Sequence, residues 1–225
     1  MPSEYEKTLI KIDELLRERF SLPNREKEDA IDVLIRTILS QNTSDKNSHR
    51  AFANLKRLFP DWTALIDAPL ERIETAIRCG GISKIKARRI KEILQRIKKE
   101  TGSLSLSFLA DLSLQDARKY LLSLPGVGDK TASCVLLFSF SMPAFPVDTH
   151  IHRIINRLGI FSNNLSPAKI SQLIEAHLPK ERFLSLHLNL IRLGREICRP
   201  RNPSCHICPL KELCNHYAVR LPSEN

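Results

Sequence analysis

Apolar residues recur at spacings of three and four along nearly all of this 225-residue chain, and no sustained period-two alternation interrupts them. Helices put residues so spaced on one face and strands do not, so the pattern predicts an all-α fold. Ser3 followed by Glu6 reads as a capping box. Tyr5, Leu9, Ile12 and Leu16 then share a face of a first helix that Pro23 helps to end. Further helices are predicted over 27–39, 45–58, 69–78, 84–99, 114–123, 129–140, 149–158, 167–177 and 181–196. The breaks fall at Pro60, Gly80-Gly81, Gly102, Pro125 to Gly128, Pro143 with Pro146, and Pro167. In the helix over 84–99, Ile90, Ile93, Leu94 and Ile97 share one face, with Lys84, Arg88, Lys91 and Lys99 as a basic stripe opposite. A stripe of this kind is ordinarily a solvated face.

The longest uncharged stretch, Thr131 to Val147, is too short and too interrupted by Ser residues, Pro143 and Pro146 to span a bilayer, so it predicts a buried helix. The N-terminus is acidic and amphipathic and lacks the basic start of a secretory signal. The expectation is therefore a chain that stays inside the cell, without membrane association. Lysine and arginine number 35 against 25 acids, a formal charge of +10. That surplus favours polyanions through counterion release, nucleic acid first among them, although a merely soluble basic protein would carry it too.

Four of the six cysteines crowd into the last 28 residues, which in a reducing compartment points to metal and not to disulfides. Cys198, Cys205, Cys208 and Cys214 have the spacing C-x6-C-x2-C-x5-C. Four thiolates suit either a tetrahedral zinc ion or a cubane iron–sulfur cluster, and the chemistry alone leaves both open. Cys79 and Cys134 fall outside the spacing and read as small, partly buried residues without a chemical role.

Leu124-Pro125-Gly126-Val127-Gly128-Asp129-Lys130 joins two predicted helices by a tight turn. Glycines let the backbone approach a phosphate, and the N–H groups at the start of the following helix can donate to it. Lys-Thr-Ala follows, and Pro146-Val147-Asp148-Thr149-His150 places an aspartate eighteen residues after the lysine. Lys130 could simply contact a phosphate, and Asp148 could simply cap the helix that begins at Thr149.

Together these motifs resemble the helix-hairpin-helix and Gly/Pro-Asp signature of the endonuclease III superfamily of DNA glycosylases, and the cysteine spacing resembles that family's [4Fe-4S] loop. The resemblance runs from about Ile31 to Cys214. It implies two helical lobes: a barrel-like bundle over 24–143 containing the hairpin, and a second lobe of 1–23 with 144–225 that carries the cluster. DNA would bind in the cleft between them. The implied partner is double-stranded DNA with damaged bases or abasic sites, bound by a monomer in the cytoplasm with the chromosomal DNA.

The implied chemistry explains the residue types. A base inside a duplex is out of reach, so the nucleotide must be flipped into a pocket. The neutral Lys130 amine would then attack the sugar C1′, displace the base and leave a Schiff base, from which β-elimination breaks the strand. Asp148 would shuttle protons and stabilise the positive charge developing on the sugar. Pro125, Gly126, Val127 and Gly128 would grip the DNA backbone, as would Arg199 and Arg201 between the first two cysteines. In the family one plug for the vacated stack comes from a turn resembling Ser40 to Asp45. Counting back from Asp45 makes Asn42 the counterpart of the usual glutamine, with Gln41 beside it as the alternative plug. An apolar wedge comes from a turn resembling Gly80 to Ser83, which makes Ile82 the candidate. His150 reads as a packing or hydrogen-bonding residue. Asp129 departs from the family, which often has a basic residue there, so one contact with DNA is in doubt.

The adenine-mismatch branch uses a glutamate in the helix before the plug and lacks the lysine. Leu34 to Leu39 holds no acid, which disfavours that branch. A thymine- or uracil-mismatch glycosylase is a nearer rival, although such enzymes mostly lack a lysine at this position. A different class of reading is a non-catalytic DNA-binding module whose cysteines hold zinc. Within the family reading, oxidised or ring-saturated pyrimidines are the implied substrates.

Overall fold

The computed structural model describes residues 2–21, 26–161 and 164–219, and among these every regular element is helical. The chain divides into two compact units, Met1–Glu26 with Pro143–Asn225, and Lys27–Met142. Pro23 lies outside the described residues. No helix among those described is long and apolar enough to cross a membrane.

The continuous unit holds seven helices: α2 (Ala30–Ser40), α3 (Asp45–Leu58), α4 (Trp62–Asp67), α5 (Leu70–Ile77), α6 (Ser83–Thr101), α7 (Leu114–Ser123) and α8 (Asp129–Phe140). The first is α1 (Glu4–Phe20), in the other unit. Side-chain caps set many of the starts. Asp29 accepts from the Asp32 N–H, Ser44 from Asn47 and Ser113 from Asp116, each satisfying a donor that a helix start leaves unpaired. The cap at Asp29 explains why α2 begins at Ala30 and not at the expected 27.

Helices α2 and α8 form the centre of this unit and pack on one another. From Thr131 to Leu137 every α8 residue is buried, which accounts for the uncharged stretch as a core helix. The apolar face of α6 is buried as its spacing predicts, with Ile90, Ile93, Leu94 and Ile97 fully covered. Each such side chain contributes about 1.5–3 kcal/mol. Two features depart from the expected pattern. The six-residue α4 is too short to show a periodicity, and Lys86, inside the basic sequence of α6, is fully buried.

The discontinuous unit is built from α1, α9 (Thr149–Leu158), α10 (Pro167–His177), α11 (Phe183–Glu196) and the short α12 (Asn215–Ala218). Ser3 caps α1 by accepting from Glu6, and Leu9, Ile12 and Leu16 are buried as expected. Tyr5, from the same predicted face, stays 42% exposed and leans on Phe161 and His177. Asp13 on α1 is fully buried, accepts hydrogen bonds from Arg182 and Ser185 and is ion-paired with Arg17, whose Nε–H donates to the Ser185 Oγ; these contacts fix α1 on α11. Gly194 of α11 packs so close to α9 that a Cβ there would stand 2.7 Å from the His150 Cβ, so no larger residue fits without moving the helices. His150 is thus a packing residue whose Nδ1 also meets the Arg153 guanidinium at 3.2 Å.

Candidate active site and cysteine loop

Helices α7 and α8 pack on one another and are joined by Leu124 to Gly128, which forms the expected hairpin. Leu124 and Val127 are buried, at 2% and 7% exposure, and anchor the turn, while Gly126 and Gly128 are exposed. Gly126 has φ +73°, a backbone conformation that favours glycine, and the end of the Arg89 side chain lies against it, 2.6 Å from where a Cβ would stand. Nothing stands within 4 Å of a Cβ at Gly128, which leaves the backbone at the start of α8 open to an approaching anion. Gly128 gives α8 no side-chain cap, so its first N–H groups keep their donor capacity. Lys130 is the second residue of α8 and is half-buried. Asp129 beside it is exposed.

Gln41 and Asn42, adjacent in sequence, have different positions. The Gln41 side chain is half-buried and donates to the Gly126 carbonyl at 3.1 Å, tying the turn after α2 to the hairpin. Asn42 is exposed, with φ +51°. Ile82 is 47% exposed and adopts φ +40°, a conformation costly for a β-branched residue. It is therefore not a core residue. Ile85, one turn further along, is 49% exposed and adds apolar surface that sequence reasoning did not single out.

In the other unit, Asp148 is the N-cap of α9, and its Oδ1 accepts from the Ile151 N–H at 2.8 Å. Capping uses one carboxylate oxygen of two, so it does not preclude a part in proton transfer.

Cys198, Cys205, Cys208 and Cys214 line one small cavity together with Arg157, Ile197 and Tyr217. Among the described residues no group of three or more His, Cys, Asp or Glu side chains is arranged to hold a metal ion; the four sulfurs surround a cavity instead. Burial pushes the Cys208 thiol up to about 11, and repulsion from Cys198, Cys214 and Cys205 adds to the rise. Cys214 is raised for the same reasons, burial first. Four sulfurs close enough to repel one another as thiolates in a sheltered cavity fit a cationic iron–sulfur core, which removes that penalty on binding.

Two arginines on α9 hold the loop, and neither was singled out from the sequence. The Arg153 guanidinium donates to the carbonyls of Cys198 and Gly194. Arg157 donates to the Cys198 Sγ at 3.3 Å, the Arg199 carbonyl at 2.8 Å and the Pro200 carbonyl at 3.0 Å. Their i, i+4 spacing on α9 was the available signal. Arg199 and Arg201 are both exposed on the loop so held.

Residues 35–180 match the HhH-GPD superfamily of base excision DNA repair proteins, and residues 198–214 match the iron–sulfur binding domain of endonuclease III. The endonuclease III of Thermotoga maritima is 37% identical over 213 residues, covering 93% of this chain and 94% of that protein. The chain belongs to the endonuclease III family. The matched segment 198–214 holds all four cysteines of the quartet, so an iron–sulfur binding domain is present at this loop. The protein At3g47830 of Arabidopsis thaliana is 40% identical over 79% of the chain, which spans 60% of that longer relative. Among solved structures, endonuclease III in a trapped covalent intermediate with DNA superposes with a TM-score of 0.80 at 27% identity, covering 98% of this chain and 99% of that one.

Proposed function

We propose that the protein is a bifunctional DNA glycosylase and abasic-site lyase that removes oxidised pyrimidines and nicks the strand by β-elimination, with Lys130 as nucleophile. The observation that carries this reading is the position of Lys130, half-buried at the second residue of α8 and directly after an exposed glycine hairpin suited to hold a phosphate. The trapping of endonuclease III in a covalent intermediate with DNA supports a nucleophile in the family fold.

The reaction follows from these groups. The Lys130 Nζ attacks C1′ of the flipped nucleotide, the C1′–N bond breaks, and the base leaves with a proton. Sugar-ring opening gives the Schiff base. Loss of a C2′ proton then expels the 3′ phosphate, and hydrolysis of the imine frees the lysine. Asp148 takes up and returns protons and stabilises the positive charge on the sugar. Pro125 to Gly128 hold the backbone, Asn42 and Ile82 fill the vacated stack, and Gln41 fixes the Asn42 turn on the hairpin. Arg199 and Arg201 add backbone contacts from the cysteine loop. Cys198, Cys205, Cys208 and Cys214 would hold the iron–sulfur cluster, which would cross-link that loop and supply a redox-capable group.

A panel of single-lesion duplexes, scored separately for base release and for nicking, tests the reading. Oxidised pyrimidines should be released and nicked by the wild type, and Lys130→Gln should lose both. Release without nicking by the wild type would instead assign a monofunctional glycosylase.

A further inference from the structure

Among the basic residues of α6, Lys86 lies in the core while Lys84 and Arg88 are exposed. Lys86 is fully buried, and its Nζ donates to the Leu39 carbonyl at 2.8 Å and the Gly80 carbonyl at 2.9 Å. Both acceptors are carbonyls at helix ends, the first in the last turn of α2 and the second closing the 3-10 turn Arg78–Gly80. A cation is favoured at such ends because their carbonyls lack helical partners. Burial nevertheless pushes the ammonium below the ordinary lysine value, so the arrangement is costly.

Each acceptor sits immediately before a turn that leads outward. Asn42 follows Leu39 by three residues and Ile82 follows Gly80 by two, and both adopt left-handed backbone conformations without being glycine. A Cβ at Gly81 would lie 4.0 Å from the Asn42 carbonyl oxygen, so the two turns abut. Asparagine tolerates this region, but for the β-branched Ile82 the conformation is strained and persists only where the surroundings over-determine it. An apolar side chain of similar volume would fill the same space without burying a charge. The bridge it could not replace is the one between the two turns.

We propose that Lys86 is a positioning residue for strand insertion, its buried ammonium clamping the Asn42 and Ile82 turns together so that both enter the duplex as one unit. This rests on the proposed function above. Insertion is needed where a nucleotide leaves a paired, stacked duplex, and it is not needed at an abasic site in single-stranded DNA.

The test compares the cluster-loaded wild type with Lys86→Met on two substrates, a paired oxidised pyrimidine and a single-stranded abasic site. Base release from the duplex should fall by about 30-fold, equivalent to about 2 kcal/mol at 1.36 kcal/mol per tenfold, while single-strand nicking stays within about threefold. Ile82→Ala added to Lys86→Met should cost little more than either change alone, because both act on the same insertion. Equal losses on the two substrates, or losses that multiply in the double variant, would overturn the proposal. If Lys86→Met does not fold, Lys86→Gln takes its place, and failure of both would assign Lys86 to the fold alone. A wild type inactive on every substrate would instead refute the glycosylase reading.

Discussion

Replacing Arg157 with methionine should release the cluster faster without unfolding the protein. The guanidinium makes three hydrogen bonds to the start of the cysteine loop, to the Cys198 Sγ, the Arg199 carbonyl and the Pro200 carbonyl. Bonds from a charged donor are each worth about 1.5–3 kcal/mol when sheltered, and partial exposure here reduces that to about 1 kcal/mol apiece. Methionine keeps most of the apolar stem and removes all three, so loop opening becomes easier by about 3 kcal/mol, a factor of about 100. Iron loss requires the loop to open locally, so the rate of transfer to a chelator in excess should rise by about that factor. Fading of the cluster's visible absorbance reports it. Arg157→Lys keeps the charge but cannot reach three acceptors with a planar fork, and should lie between the two. A rate within twofold of wild type for Arg157→Met would refute the reasoning that this arginine, and not the cysteines alone, holds the loop.

Asp13→Ala leaves two arginines facing a cavity where a buried carboxylate stood. It should cost about 3 kcal/mol, a fall in melting temperature of about 6–12 °C by calorimetry; a fall under about 2 °C would contradict the assigned role. Ile82→Gly relieves a strained backbone and should raise stability by about 1 kcal/mol in a denaturant titration. The same change should lower base release from paired lesions, and a gain in stability without that loss would show that Ile82 does not enter DNA.

The helices were largely legible because amphipathic spacing and cap residues act locally. The α3, α7, α8, α9 and α10 spans coincide with the ranges expected from sequence, and the cysteine spacing pointed to the loop it forms. Periodicity could not register α4, which is barely longer than one helical turn, or the 3-10 segment Lys180–Arg182 that delays the start of α11. The burial of Lys86 was hidden for a different reason. Its neighbours Lys84 and Arg88 are exposed, and only the approach of Leu39 and Gly80, remote in sequence or separated by a turn, distinguishes it from them. The same holds for Gln41 and Asn42, whose adjacency in sequence conceals that one binds the hairpin and the other is exposed.

As proposed, Lys130 forms a covalent bond to the sugar. Borohydride reduction of the protein mixed with duplex DNA containing an abasic site, followed by mass spectrometry of the digested adduct, measures this directly. A stable protein–DNA adduct is expected on the peptide containing Lys130, absent in Lys130→Ala. No adduct from the wild type, or an adduct mapped to another residue, would contradict it.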